Sequence, residues 1–249
     1  MIKKEKYSAA ILVIGDEILS GRTQDTNSNF IAKEMEIIGI DTSQIRVIPD
    51  EKNTIIESVN ELRVKNDYLF TTGGIGPTHD DITADSIAEA FRVDLEINSE
   101  AYDTLKKYYE KIGSEFNDIR QRMARIPKGA TLIENSISAA PGFKIENVFV
   151  FAGIPKIMKA MLSNSIKHLN KGKLIHSISV KIDAVEGDIA KLLKSLNDEN
   201  ENIKIGSYPF FNSKNDFGVN VVIKSIDKEF LILAEEKLKN YLSKNSFNY

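Results

Sequence analysis

Apolar runs alternate with amphipathic stretches along the first two thirds of the chain. The runs lie at residues 9–14, 40–48, 68–70 and 148–151, and the first, third and fourth are continuous enough for central strands covered on both faces. Between the runs, apolar residues recur at helical spacing, as at Ile55, Val59 and Leu62. Alternating strands and helices predict a mostly parallel sheet with right-handed crossovers and helices on both faces, a three-layer α/β/α fold.

The pattern changes at Lys171-Gly172-Lys173, where we place the boundary between domains of residues 1–171 and 172–249. Beyond it, residues 175–182 alternate like a strand, and residues 185–196 have helical periodicity. Residues 204–211 and 219–224 form a predicted hairpin around residues 212–216, and a last helix follows. This β-α-β-β-α order predicts a small α+β appendage.

A glycine-rich stretch at residues 71–83 follows the third strand and precedes a predicted helix. Gly73, Gly74 and Gly76 allow a sharp turn that points several N–H groups into one concavity, and a helix N-terminus adds to their attraction for phosphate. The spacing matches neither a P-loop nor a dinucleotide fingerprint. Asp80 and Asp81 follow, where a phosphate-bound metal or an attacking water would lie. Alternatively, the glycines only form a turn, and residue 78 caps the helix with residue 81 three positions on.

Further polar residues follow other strands at the same edge of the predicted sheet. Asp16 and Glu17 come directly after the first strand, and Asp25 and Asn27 precede the helix behind it. Ligands bind at the carboxyl ends of strands in open α/β sheets, so we expect these side chains near the glycine stretch.

Composition narrows the classes of partner. The chain has 249 residues, a net charge of −3 and no cysteine, which excludes disulfides and thiolate zinc sites. The negative charge gives no reason to expect nucleic acid or an anionic membrane as a partner. Residues 1–8 are polar and lysine-rich, and the apolar run behind them is too short for a signal peptide, so the expected location is cytoplasmic.

These motifs resemble the MoaB/Mog molybdopterin-binding domain family, in the form found at the N-terminus of competence/damage-inducible protein A (CinA). A similar domain precedes the synthetase domain of some eukaryotic FAD synthases. The resemblance covers roughly residues 9–169, and the glycine stretch is its most specific part. The tail is similar to the small KH-type appendage of these proteins.

The resemblance implies a pocket for a nucleotide or pterin phosphate, a divalent metal with Mg²⁺ expected, and a homo-oligomer. Asp81, Asp80 and Asp16 are the implied catalytic residues, and Asp81 and Asp16 the implied metal ligands. The implied substrate-binding residues are Gly73, Gly74, Gly76, Thr78, Glu17, Asp25, Asn27, Pro141 and Gly142.

The implied activity is metal-dependent hydrolysis of a phosphoanhydride in a nucleotide such as ADP-ribose or FAD. The alternatives are a non-catalytic molybdopterin- or nucleotide-binding protein and a molybdopterin adenylyltransferase. Retention of the carboxylates favours an enzyme. Departures from the family's usual small-residue loops, at residues 137–142 and at Met123-Ala124, favour the binding protein.

Overall fold

The computed structural model describes residues 7–213 and 216–249. The lysine-rich segment before residue 7 and the middle of the predicted turn at residues 212–216 lie outside the described residues. The chain divides into two compact units between Gly172 and Lys173. None of the described helices is long and apolar enough to cross a membrane.

The first unit is built on a six-stranded sheet. The strands of this unit are β1 (Tyr7–Ile14), β2 (Ile40–Ile48), β3 (Tyr68–Thr72), β4 (Leu95–Ile97), β5 (Arg125–Pro127), β6 (Thr131–Ile133), β7 (Gly142–Ile145) and β8 (Val148–Phe151). The large sheet has the order β2-β1-β3-β8-β7-β6, while β4 and β5 form a separate pair. Strands β2, β1, β3 and β8 run parallel, and β7 and β6 continue the sheet antiparallel. The mostly parallel sheet is confirmed.

Helices cover both faces of this sheet. They are α1 (Asp16–Leu19), α2 (Asn27–Ile37), α3 (Lys52–Lys65), α4 (Thr83–Phe91), α5 (Ser99–Lys111), α6 (Asp118–Gln121) and α7 (Pro155–Ile166), with a 3₁₀ turn at Arg122–Ala124. Successive residues of β1 point to opposite faces, so Leu12 joins a core with Ile55 of α3, and Ile11 joins one with Met35 of α2. Both layers are buried, which explains the continuous apolar run and confirms the three-layer fold.

The second unit is a small antiparallel sheet with two helices. Its elements are β9 (His176–Ile182), α8 (Glu186–Glu199), β10 (Ile203–Ser213), β11 (Asp216–Ser225) and α9 (Lys228–Lys244). The sheet order is β10-β11-β9, and all its pairs are antiparallel. Ile182, Ile189, Val221 and Leu238 are fully buried in one core. The predicted β-α-β-β-α order is confirmed.

Three local features go beyond the predicted pattern of strands and helices. The segment after β1 contains the one-turn helix α1. The charged stretch that begins at Ser99 ends its helix at Lys111, and the next helix begins at Asp118. Helix α4 begins at Thr83, so Asp81 lies in the loop before the helix and not inside it, as capping by residue 78 would require. The short pair β4–β5 was not predicted, because three-residue strands carry no measurable periodicity.

Candidate ligand-binding site

The glycine loop joins β3 to α4 and lies against the ends of neighbouring strands. The N–H of Gly73 donates to the carbonyl of Phe151 at 3.1 Å, and the carbonyl of Gly74 accepts from Thr83 N–H at 3.0 Å. Gly73 and Gly74 have φ of 110° and 66°, a region that favours glycine. A Cβ on Gly73 would lie 2.0 Å from the carbonyl oxygen of Ile14 at the end of β1. The loop therefore needs glycine both for its conformation and for its close approach to β1.

Three successive N–H groups of this loop are free. Within the described residues, the N–H groups of Gly74, Ile75 and Gly76 donate to no protein acceptor. Successive amides at a glycine turn, close to the start of a helix, form an anion-binding concavity. The loop thus retains the donors that the sequence predicted for a phosphate.

Asp81 holds the glycine loop in shape. Its Oδ2 accepts the N–H of Thr78 at 2.8 Å and also the hydroxyl of Thr78. A Cβ on Gly76 would lie 2.6 Å from the same oxygen, so the carboxylate packs directly against that glycine. The alternative interpretation, in which residue 78 caps the helix, does not hold, because α4 begins only at Thr83. The contact runs from Thr78 as donor to Asp81 as acceptor. Asp81 therefore lies beside the N–H groups that could bind a phosphate, and its Oδ2 already holds the loop through Thr78.

The carboxylates of Asp16, Glu17 and Asp80 lie near that of Asp50, on another side of the loop. The N–H of Asp16 donates to Oδ2 of Asp50 at 2.9 Å, and a Cβ on Gly74 would lie 3.5 Å from Oδ1 of Asp50. Burial raises the pKa of the Asp50 carboxyl, the hydrogen bond from Asp16 N–H lowers it, and the charges of Asp16, Glu17 and Asp80 raise it further. The structure thus brings Asp16, Glu17 and Asp80 together as predicted from their strand ends, and it adds Asp50.

Asp50 was missed by the sequence analysis. It lies just after β2, where Pro49 suggested only a turn. Its position at the carboxyl end of a parallel strand was the one signal that could have identified it.

Asp80 and His79 lie at the exposed tip of the loop. The Thr78 hydroxyl lowers the pKa of the Asp80 carboxyl, the N–H of Asp80 itself lowers it further, and the charge of His79 adds a smaller effect. His79 Nδ1 lies 3.8 Å from Oδ1 of Asp80, and the His79 side chain is 97% exposed.

Asp25 and Asn27 have structural roles. Asp25 Oδ1 accepts the N–H groups of Asn27 at 2.9 Å and Ser28 at 3.1 Å, and so caps the start of α2. The Asn27 amide donates to the Thr72 hydroxyl at 2.9 Å and to the carbonyl of Gly153 at 2.6 Å. Asn27 thus ties the ends of β3 and β8 together. Its Oδ1 is buried without a partner among the described residues, so it retains one acceptor.

A narrow cavity lies beside Gly76 and Asp81. Pro141, Arg122 and Arg125 also line it. Gly142 begins β7, and a Cβ there would lie 2.4 Å from the carbonyl of Val150, so this glycine serves strand pairing. Pro141 therefore lies at the site, and Gly142 acts indirectly, because its close pairing with β8 fixes the position of Pro141. The two arginines were not predicted, because no motif marks the 3₁₀ turn that carries Arg122.

The donor set suits a hard cation, although the side chains do not enclose one. Among the described residues, no group of three or more His, Cys, Asp or Glu side chains is arranged around a common metal position. The carboxylates of Asp16, Glu17, Asp50 and Asp80 nevertheless offer oxygen ligands of the kind that Mg²⁺ prefers. No Lys or Arg in the described chain forms an ion pair with them.

Asp50→Asn is expected to stabilise the metal-free protein at neutral pH. The pKa of Asp50 is raised on folding, so the folded chain keeps a proton that the unfolded chain loses between the ordinary and the raised pKa. Stability therefore falls as pH rises through that window, and the charged form is disfavoured above it. Asn retains the acceptor for Asp16 N–H without the charge. We expect Tm to rise by roughly 1–3 °C at neutral pH in the presence of EDTA.

Thermal unfolding followed by circular dichroism at two pH values tests this expectation. Below the ordinary pKa of aspartate, Asp50→Asn and the wild type should melt together. Asp41→Asn removes the same charge from the exposed edge strand β2 and serves as the control. A lower Tm for Asp50→Asn than for Asp41→Asn at neutral pH would contradict the repulsion inferred for this cluster.

Together these features define a class of protein. A glycine loop with free amides and a facing group of carboxylates lie at the carboxyl edge of the parallel strands of a three-layer α/β sheet. This is the position at which open α/β domains bind small ligands.

Comparisons with known proteins identify the family. A family described as a probable molybdopterin binding domain matches residues 10–171, and one described as the FAD synthase middle domain matches residues 174–249. A protein of Pyrococcus furiosus is 32% identical in an alignment that covers 93% of this chain and 96% of that protein. A CinA-like protein of Citrifermentans bemidjiense is 37% identical in an alignment that covers 63% of this chain and 39% of that protein.

A solved structure agrees with this grouping. The structure of CinA from Thermoplasma acidophilum superposes with a TM-score of 0.61 and 31% identity, over 66% of this chain and 99% of that one. The chain belongs to the molybdopterin-binding MoaB/Mog domain family, in its CinA type. This membership supports a molybdopterin-related or nucleotide-binding role.

Proposed function

We propose that this chain is a metal-dependent phosphoanhydride hydrolase acting on a nucleotide such as ADP-ribose or FAD. The observation that carries the proposal is the set of three free N–H groups at Gly74, Ile75 and Gly76, with carboxylates on both sides of the loop. Preorganised amides stabilise the negative charge that develops on a phosphoryl group during its transfer. Hydrolysis adds water across the phosphorus–oxygen bridge, so ADP-ribose would yield AMP and ribose phosphate.

The carboxylates have two roles in this proposal. Asp16, Glu17, Asp50 and Asp80 would hold a divalent cation, and a bound cation neutralises phosphate charge and lowers the pKa of water. Asp81 lies against Gly76 and keeps Oδ1 outside its contacts with Thr78, so it would orient the attacking water. Of the two metal ligands implied by the resemblance, Asp16 keeps that role in the proposal, and Asp50 takes the place of Asp81.

One observation favours a second candidate, a binding protein without catalysis. Asp81 already accepts two hydrogen bonds from Thr78, as a purely structural residue would. In that case the same loop would hold the phosphate of molybdopterin or a nucleotide without transferring it. Adenylyl transfer to molybdopterin is a third candidate that uses the same amides and cation.

We also propose that the chain is a homo-oligomer. The molar mass of the protein in solution, measured by light scattering, tests this.

A thermal-shift series separates these ligands. A ligand that binds only the folded state raises its stability by about 2.7 kcal/mol at a hundredfold excess over Kd. We expect ADP-ribose and FAD to raise Tm of the full chain by several degrees with Mg²⁺ and by less with EDTA. A shift with molybdopterin alone would favour the second candidate. No shift with any of the three would contradict the proposed site.

A further inference from the structure

The outer edge of the second unit is a long strand with a single charge. Strand β10 comes first in the order β10-β11-β9, so one of its two sides has no neighbour in that sheet. It has 11 residues, and Lys204 is the only charged one. The other strands that end a sheet in the described chain are shorter, with nine residues in β2, seven in β9 and three in β6, β4 and β5. A long edge strand is a template on which a further strand can pair.

Alternate residues of β10 direct their backbone groups away from β11. Pro209 has no N–H, and the N–H of Ile203 donates to the carbonyl of Asn200 at 3.3 Å instead of to β11. In an antiparallel ladder, residues that exchange hydrogen bonds with the neighbouring strand alternate with residues that do not. The odd-numbered residues are therefore the outward ones, which places the N–H groups of Ile205 and Ser207 at the open edge.

Exposed aromatic side chains lie along the same strand. Tyr208 is 54% exposed and Phe211 is 74% exposed. The Tyr208 ring lies over Gly206, where a Cβ would be 2.9 Å from the ring hydroxyl, and the Phe211 ring lies 6.4 Å from that of Phe217. Tyr208 and Phe211 are an odd number of positions apart, so they lie on opposite faces of the sheet. A strand added at this edge would therefore bury aromatic surface on both faces.

We infer that β10 pairs antiparallel with β10 of a second copy of this chain, about a twofold axis at Tyr208. The inference rests on the proposed homo-oligomer and names its contact surface. This register sets the two copies of Tyr208 opposite each other. It also sets Phe211 opposite Ile205 of the second copy, and Phe210 opposite Gly206. Aromatic pairs and aromatic–aliphatic pairs of this kind stabilise neighbouring antiparallel strands.

Charges distinguish this register from one centred a residue earlier. The Ser207 hydroxyl donates to the carboxylate of Glu186. An axis at Ser207 would bring the two Glu186 carboxylates together, and like charges that face each other across strands are destabilising. An axis at Tyr208 sets Ser207 opposite Pro209 instead, and it leaves the two copies of Lys204 at opposite ends of the pair. Because both copies use the same edge, the assembly closes at two chains.

An introduced cysteine tests the register, because the chain has none of its own. Tyr208 and its copy would form a pair without mutual hydrogen bonds, with Cα atoms about 4.5 Å apart, which a disulfide can span. With oxidised glutathione, Tyr208→Cys should give a covalent dimer on a non-reducing gel. Lys204→Cys is the matched control in the same strand, since its copy would lie about 26 Å away along the pair. It should remain a single chain on the gel.

Light scattering supplies a second test that needs no disulfide. The wild type should have twice the molar mass of one chain. Tyr208→Lys sets two like charges opposite each other at the axis, and it should weaken the dimer about tenfold or more. Val64→Lys introduces the same charge at a residue of α3 that is 78% exposed, and it should resemble the wild type.

Each other outcome overturns the inference. Equal cross-linking of Tyr208→Cys and Lys204→Cys would mean random collision. A wild-type oligomer that Tyr208→Cys does not cross-link would place the contact elsewhere and retain the proposed homo-oligomer, whereas a monomeric wild type would contradict both. If Tyr208→Cys does not fold, Tyr208→Lys provides the comparison. All of these measurements are made without ligand, so they stand apart from the test of the proposed hydrolase.

Discussion

Asp81→Asn is expected to slow AMP release from ADP-ribose about a hundredfold, the cost of one preorganised electrostatic contact. Asp81 packs against Gly76 and lies beside the free amides of the loop, so its carboxylate is placed to accept a hydrogen bond from the attacking water. Asn can still accept the N–H and hydroxyl of Thr78, and the loop should keep its shape. We expect a stability loss of no more than about 1 kcal/mol, similar to that of a lost cap.

Rates and melting temperatures measured together separate the two roles of Asp81. Asp103→Asn removes the same charge from the exposed side of α5 and is the matched control. Equal AMP release by Asp81→Asn and the control would reject catalysis by Asp81. A large drop in Tm with a matching loss of activity would assign Asp81 to loop structure alone.

Gly73→Ala is expected to have the largest effect on stability, about 3 kcal/mol or more. Two costs combine at this position. The φ of 110° is strained for any residue with a side chain. A Cβ would also lie 2.0 Å from the carbonyl of Ile14, which is backbone in the central strand β1 and cannot move aside. The loop or the strand must shift, and the free amides would lose their alignment.

Gly113→Ala separates conformational strain from the clash. Gly113 has a φ of 67°, and no atom lies within 4 Å of a Cβ built on it. It should therefore lose only about 1–2 kcal/mol, the cost of the left-handed conformation. Chemical denaturation followed by circular dichroism measures both variants. If Gly73→Ala is as stable as Gly113→Ala, the close approach of the loop to β1 is not a constraint on the fold.

The layers of the first unit could be predicted because each central strand is buried on both faces. Residues 9–14 are apolar without interruption, and alternate members of this run enter the two separate cores. The small unit was predictable from alternation in β9 and helical spacing in α8. Strands of three residues, such as β4 and β5, could not be predicted, because so short a segment fits any period.

The glycine loop and the carboxylates at the strand ends could also be predicted, since both follow from local sequence and sheet topology. The direction of the contact between Thr78 and Asp81 could not, because a spacing of three residues fits either residue as the acceptor. Asp25 and Asn27 were placed correctly at the start of α2, yet their bonds to α2, β3 and β8 give them structural roles. Arg122 depends on tertiary packing of a turn that has no sequence signature.

The most direct test of the proposed hydrolase is release of AMP by the purified full chain. ADP-ribose and FAD are incubated with the protein and Mg²⁺, and AMP is quantified by chromatography over time. The proposal predicts AMP in proportion to protein, no AMP in EDTA, and recovery when Mg²⁺ is restored. If neither compound yields AMP with Mg²⁺ although both raise Tm, the hydrolase is contradicted and the chain is a binding protein.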